Sequence, residues 1–118
     1  MALSNRQRGD MGEELAAQFL TNKGYKILER NYRFEHGEID LIAEDGVDLV
    51  FVEVKSRKSK SFGDPEDGMT EQKEEHVRDA AEGYLYEKNI ENRTCRFDVV
   101  AVEFHDGVAD IRHTQDAF

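Results

Sequence analysis

The stretch GEIDLIAEDGVDLVFVEVKSR, residues 37–57, constrains this chain more than any other. Two runs rich in Ile, Leu, Val and Phe flank Asp45-Gly46, the pattern of two strands folded back on a tight turn. A loop of even length centred on Gly46–Val47 makes Asp40 face Glu53, Glu38 face Lys55 and Ile42 face Phe51. Ile39, Leu41, Val52 and Val54 then share the other side, because successive strand residues alternate. That side is apolar throughout, whereas the first is apolar near the turn and charged at the far end. The pattern predicts a helix over Ile42 and Phe51, with the charges looking into a notch at its edge.

Carboxylates on directly opposed strand positions repel, and partial burial worsens the repulsion. A proton on one of them, or a cation between them, relieves it. Asp40 and Glu53 with a nearby backbone carbonyl offer the hard oxygen ligands that Mg²⁺ or Mn²⁺ prefers. Lys55, on the same side, can steady an attacking water or a developing negative charge. A cross-strand Glu38–Lys55 ion pair with Glu53 as a solvated neighbour satisfies the same spacing.

The rest of the chain reads as α-β-β-β-α-β-β, a mixed sheet flanked by helices in an α/β domain spanning 1–118. GDMGEELAAQFLTNKG is a helix with Met11, Leu15 and Phe19 on one stripe and Gly24 just past its end. YKILERNYRF is a strand with Tyr25, Ile27 and Glu29 on one face. KSKSFGDPEDG is a loop by its Ser, Gly and Pro content. Thr70 caps a second helix whose stripe is Val77, Ala80, Ala81, Tyr84 and Leu85. RFDVVAVEF and GVADIRH are strands joined at Asp106-Gly107.

No apolar run is long enough to span a bilayer, no signal peptide opens the chain, and one cysteine excludes an internal disulfide; cytoplasmic residence is expected. The net charge of −10 argues against a uniformly basic nucleic-acid binder. Residues 1–60 carry 10 Lys and Arg against 11 Asp and Glu, whereas residues 61–118 carry 6 against 15. A DNA-facing surface would therefore draw on Arg6, Arg8, Arg30, Arg33, Arg57, Lys58 and Lys60.

The blocks GEIDLIA, LVFVEVKSR, FGDPEDGMTEQK and RFDVVAV, in this order and spacing, resemble the YraN-type uncharacterised bacterial family. That family has the restriction-endonuclease-like fold of the PD-(D/E)XK superfamily and is similar to archaeal Holliday-junction resolvases. The resemblance runs from about Asn5 to Val102. It implies that Asp40 is the first metal-binding acid, Glu53 and Lys55 the acid and lysine of the E-x-K element, and the Val54 carbonyl a further metal ligand. It also implies Glu13 as a helix-borne acid of the site, although a first-turn acid favoured by the helix dipole explains Glu13 equally well. Lys73 falls where relatives keep a phosphate-meeting lysine, and Arg57 and Arg96 are candidate phosphate contacts, although ion pairs with Asp48 or Asp98 explain them equally well. Two departures stand out: Glu74 and Glu75 replace a basic run, and Gln72 is followed four residues on by His76 rather than Tyr.

Two readings follow. One is a Mg²⁺- or Mn²⁺-dependent endonuclease acting on structured or branched DNA, for which a symmetric homodimer would suit the cutting of two strands. The other is a non-catalytic nucleic-acid- or protein-binding module on a nuclease-like scaffold. The four histidines show no metal-ligand spacing and read as surface residues, Cys95 as an inert core thiol, and Met1–Ser4 and TQDAF as frayed ends.

Overall fold

Helix α1 (Asn5–Asn22) starts at a capping box. The Ser4 hydroxyl accepts from the Gln7 amide (3.1 Å), and the Gln7 side chain accepts from the Ser4 amide (2.9 Å). Ser4 is therefore anchored rather than frayed, and the helix begins four residues before the expected Gly9. Strands β1 (Lys26–Phe34), β2 (Gly37–Asp45) and β3 (Asp48–Arg57) follow, then α2 (Glu71–Glu87), β4 (Cys95–His105) and β5 (Val108–Thr114). The computed structural model describes residues 3–58 and 69–118. The segment read as a loop lies outside the described residues from Ser59 on, and with it Lys60.

The five strands lie in chain order, with β3 and β4 parallel and the other neighbours antiparallel. The parallel pair needs a crossover, which α2 supplies. Gly46 has φ 60°, as the first position of a two-residue turn requires. Asp45 pairs Asp48, Ile42 pairs Phe51 and Leu41 pairs Val52, the register expected from the sequence.

α1 covers one face of the sheet, packing Ala16, Ala17 and Leu20 on Leu41, Ala43, Val50, Val52, Val100 and Val102. α2 covers part of the other, packing Val77, Ala80, Ala81 and Tyr84 on Ile42, Leu49 and Phe51. Two glycines set how close the helices come. A Cβ on Gly12 would lie 2.7 Å from the Ser56 Cβ of β3, and one on Gly37 would lie 2.3 Å from the His76 carbonyl oxygen of α2. These contacts hold Glu13 against the centre of the sheet and the first turns of α2 against the start of β2.

Strand alternation breaks twice. The β1–β2 register shifts between Ile27 and Glu29. Ile27 packs in the α1 core, but Glu29 pairs Ile42 on the α2 side and reaches Lys88, so the expected shared face for Ile27 and Glu29 is lost. Farther along, Ile39 packs under α2 although Leu41, two residues on, packs under α1. The expected grouping of Ile39 with Leu41 fails because both strands change face at Asp40 and Asn31. Asn31 has φ 52°, and the β1–β2 pairing skips that level.

The C-terminal residues are tied down too. The Ala117 amide donates to the Phe97 carbonyl (2.7 Å), the Gln115 side chain to the Tyr25 hydroxyl (3.0 Å), and Phe118 packs on Phe97. TQDAF was expected to fray as a chain end, but its partners come from distant segments. Among the described residues no helix is long and apolar enough to cross a membrane.

Candidate active site

The break at Asp40 builds the site. Backbone pairing between β2 and β3 reaches Leu41–Val52 and goes no farther. Beyond it the side chains take over the ladder: the Val54 amide donates to Asp40 Oδ2 (2.7 Å), and the Asp40 amide donates to Glu53 Oε2 (3.3 Å). Each carboxylate fixes the other's strand with one oxygen and has a second to offer a cation. Both acids open into one notch of about 350 Å³, lined also by Glu38, Val54, Lys55, Lys73 and His76. Val54 reaches this notch although its side chain packs in the α1 core.

Burial dominates the electrostatics. Glu53 is 4% exposed, and burial followed by the Asp40 charge pushes its carboxyl up to about 8. Asp40 is also raised by burial, opposed by the Val54 amide and by Lys55. Burial and the neighbouring Lys73 ammonium push Lys55 down to about 8. Two acids and two amines thus crowd a half-dry space in which each like-charged pair repels. The Asp40 and Glu53 carboxylates are the hard oxygen donors that suit Mg²⁺ or Mn²⁺.

Glu13 approaches Asp40 from the α1 side but does not line the notch. Its carboxyl is raised by burial and then by Asp40, Glu38 and Asp10, while a hydrogen bond with Asn31 lowers it. The ligand atoms of Glu13, Asp40 and Glu53 do not gather within 4.8 Å of one another. Glu14 points elsewhere, paired with Arg30 at 2.6 Å. Glu13 and Glu38 line a second opening of about 480 Å³ with Arg6, Arg30 and Arg33. Glu38 itself pairs Arg33 at 3.6 Å, the salt-bridge partner it finds in place of Lys55.

Lys73 sits where the Thr70 cap fixes the start of α2: the Thr70 hydroxyl accepts from the Lys73 amide (3.2 Å). Arg57 is half-buried beside Glu103, with Nη2 3.5 Å from Oε2, so its carboxylate partner is neither Asp48 nor Asp98. His36 and His76 both line the notch. Sequence reasoning passed over them because one lies in a turn and the other on a helix, with no spacing to link them. His113 is not a surface residue: its side chain is 3% exposed and bonds Asp98 at 2.7 Å. Cys95 is half-buried, and burial pushes its thiol up, as an unreactive cysteine requires.

Residues 12–102 match the family described as Uncharacterised protein family UPF0102. The chain is 42% identical over 120 residues to a UPF0102 protein of Moorella thermoacetica, covering all of both chains. It is 46% identical over 114 residues to one of Syntrophomonas wolfei, covering 97% of this chain and 99% of that one. A UPF0102 protein of Symbiobacterium thermophilum is 48% identical over 115 residues, covering 97% and 98%. With most of its length matched by the family and by full-length relatives, the chain belongs to the UPF0102 family.

Proposed function

We propose that this protein is a divalent-metal-dependent endonuclease that hydrolyses phosphodiesters in structured or branched DNA. One observation carries the reading: a buried Glu53 and a half-buried Asp40 on adjacent strands, both held above their ordinary range, share an open notch with two lysines. Uncompensated acids of this kind mark functional sites more often than structural ones. Asp40, Glu53 and the Val54 carbonyl would hold a Mg²⁺ or Mn²⁺ ion, and Glu13 on α1 would complete the acidic set around it. When bound, that ion supplies Lewis acidity to the scissile phosphoryl group. Lys55 holds the attacking water and offsets charge developing on phosphorus. Lys73 receives a non-bridging phosphate oxygen, and the opening lined by Arg6, Arg30 and Arg33 lets the strand continue past Glu13. A homodimer would present two such sites to two strands.

A non-catalytic binding module on the same scaffold is favoured by a different observation. Arg30 and Arg33 are already paired with Glu14 and Glu38, which weakens the attraction for phosphate. Incubation with forked, four-way and linear DNA plus Mn²⁺, beside Asp40→Ala, separates the two. Cleavage that disappears in the variant is the expected result. Binding without cleavage supports the module, and no binding at low salt points to a protein partner. A Mn²⁺-dependent thermal shift lost in Asp40→Ala and Glu53→Ala tests the metal site whatever the substrate.

A further inference from the structure

A second group of ligating side chains lies on the β4–β5 hairpin. Glu103, His105 and Asp110 bring two carboxylate oxygens and an imidazole nitrogen within 4.8 Å of one another, the one such group of three among the described residues. Register produces it. Glu103 pairs directly with Asp110, and His105 pairs Val108 across a turn in which Asp106 and Gly107 both have positive φ.

Glu103 carries the argument. Its side chain is 6% exposed, and its Oε2 has no hydrogen-bond partner. Arg57 approaches to 3.5 Å, yet neither its Nη2 nor its Nε makes a hydrogen bond. The pair is therefore held by charge alone, without the directional bonds that offset burying a carboxylate. A buried acceptor lacking a donor, beside an imidazole and a second carboxylate, needs an explanation, and a cation supplies one.

We propose that Glu103, His105 and Asp110 bind a divalent transition-metal ion of the Zn²⁺ class, separate from the Asp40–Glu53 notch. A mixed nitrogen and oxygen donor set suits Zn²⁺, whereas Mg²⁺ prefers oxygen and keeps its waters. His105 Nε2 and Asp110 Oδ2 are 2.6 Å apart, and the ring tautomer with its hydrogen on Nδ1 leaves Nε2 free to take the ion beside Asp110. Both side chains are open to water, which gives the ion its entry route. Three protein ligands leave one coordination position for water.

The test is calorimetric titration of Zn²⁺ into the full chain carrying Asp40→Asn and Glu53→Gln together with His36→Gln and His76→Gln, which removes the acid pair and both imidazoles of the notch. One equivalent is expected to bind. Adding His105→Gln and Asp110→Asn should weaken binding by more than the ~10–100-fold that loss of an outer-shell partner costs a metal site. Mg²⁺ should not compete. Co²⁺ should give visible absorption bands that vanish with the hairpin substitutions. Those two residues are exposed, so circular dichroism should be unchanged. The proposal is overturned if no equivalent binds, or if binding survives His105→Gln with Asp110→Asn. Either failure leaves the nuclease reading intact, since that rests on residues already substituted in the test protein.

Discussion

Two buried acidic clusters lie along the same central strands and are treated in opposite ways. Near the β2–β3 turn, Asp98 is fully buried, and burial alone would raise its carboxyl. It is held below its ordinary range instead by His113, by Arg96 and by the Asp116 amide. Arg96 grips both its oxygens (2.9 and 3.0 Å) and reaches Asp45 and Asp48. Lys23, a donor only, bonds His113 Nδ1 (2.8 Å), which leaves Nε2–H for Asp98. At the far end, Glu53 is nearly as buried but faces Asp40, and its carboxyl moves the other way. Similar burial with opposite shifts separates a cluster whose charges are compensated within the fold from one whose two acids are left in mutual repulsion.

The comparison breaks most sharply at Asp98. Asp98→Asn leaves a buried guanidinium short of a counter-charge and should cost about 3–5 kcal/mol, read by urea unfolding. Glu53→Gln should have the opposite sign. It relieves the clash with Asp40 and should stabilise the metal-free protein by about 0.5–2 kcal/mol, within the range of stabilising changes at functional sites. The same variant should lose the Mn²⁺-induced rise in melting temperature. If both substitutions destabilise equally, the notch is an ordinary part of the core.

Titration sharpens the contrast further. From about pH 4.5, where Glu53 ionises in the unfolded chain, up to about 8, the folded protein holds a proton that the unfolded chain has released. Stability of the metal-free protein should therefore fall as pH rises through that window. Lys55 reverses the trend. Between about 8 and 10.5 the unfolded chain binds the extra proton, so stability recovers. A dip near pH 8, flattened on its acid side in Glu53→Gln, is expected from melting curves. Asp98 acts below the dip: its contribution is complete above its ordinary value of 3.8 and lost as pH falls further. Mn²⁺ affinity should climb with pH as Glu53 gives up its proton.

The hairpin was legible because a two-residue turn fixes register up to Leu41–Val52, and beyond it the side-chain bonds of Asp40 and Glu53 keep the two acids together. The helix over Ile42 and Phe51 and the notch at its edge followed from where the charges fall in that pairing. Ile39 was misplaced because the face change at Asp40 depends on Asn31, a residue of another strand with left-handed backbone. The Asp98 network was legible only in part: pairing of Arg96 with Asp48 or Asp98 was expected and is found, but Tyr25, Asp45, His113 and Asp116 come from separate segments, and no spacing links them. The capping box was a different kind of miss. Ser4 and Gln7 carry the S-x-x-Q pattern in plain view, but the apolar stripe begins only at Met11, which pulled the expected start inward.

The smallest expected effect extends the comparison from acids to cations. Lys73 and Arg57 were both expected to contact DNA, yet Lys73 is exposed at the notch while Arg57 is half-buried against Glu103. Each phosphate neutralised adds about 0.9 to the slope of log affinity against log salt concentration on duplex DNA. Lys73→Gln should lower that slope by about 1 and weaken binding to every sequence alike. Arg57→Gln should leave the slope unchanged, because a guanidinium already committed to a buried carboxylate releases no counterion when DNA arrives. Fluorescence anisotropy with four-way DNA across a salt series measures both. Equal losses of slope would mean that Arg57 abandons Glu103 for phosphate, and that ionic satisfaction in the free protein does not decide which charges meet the substrate.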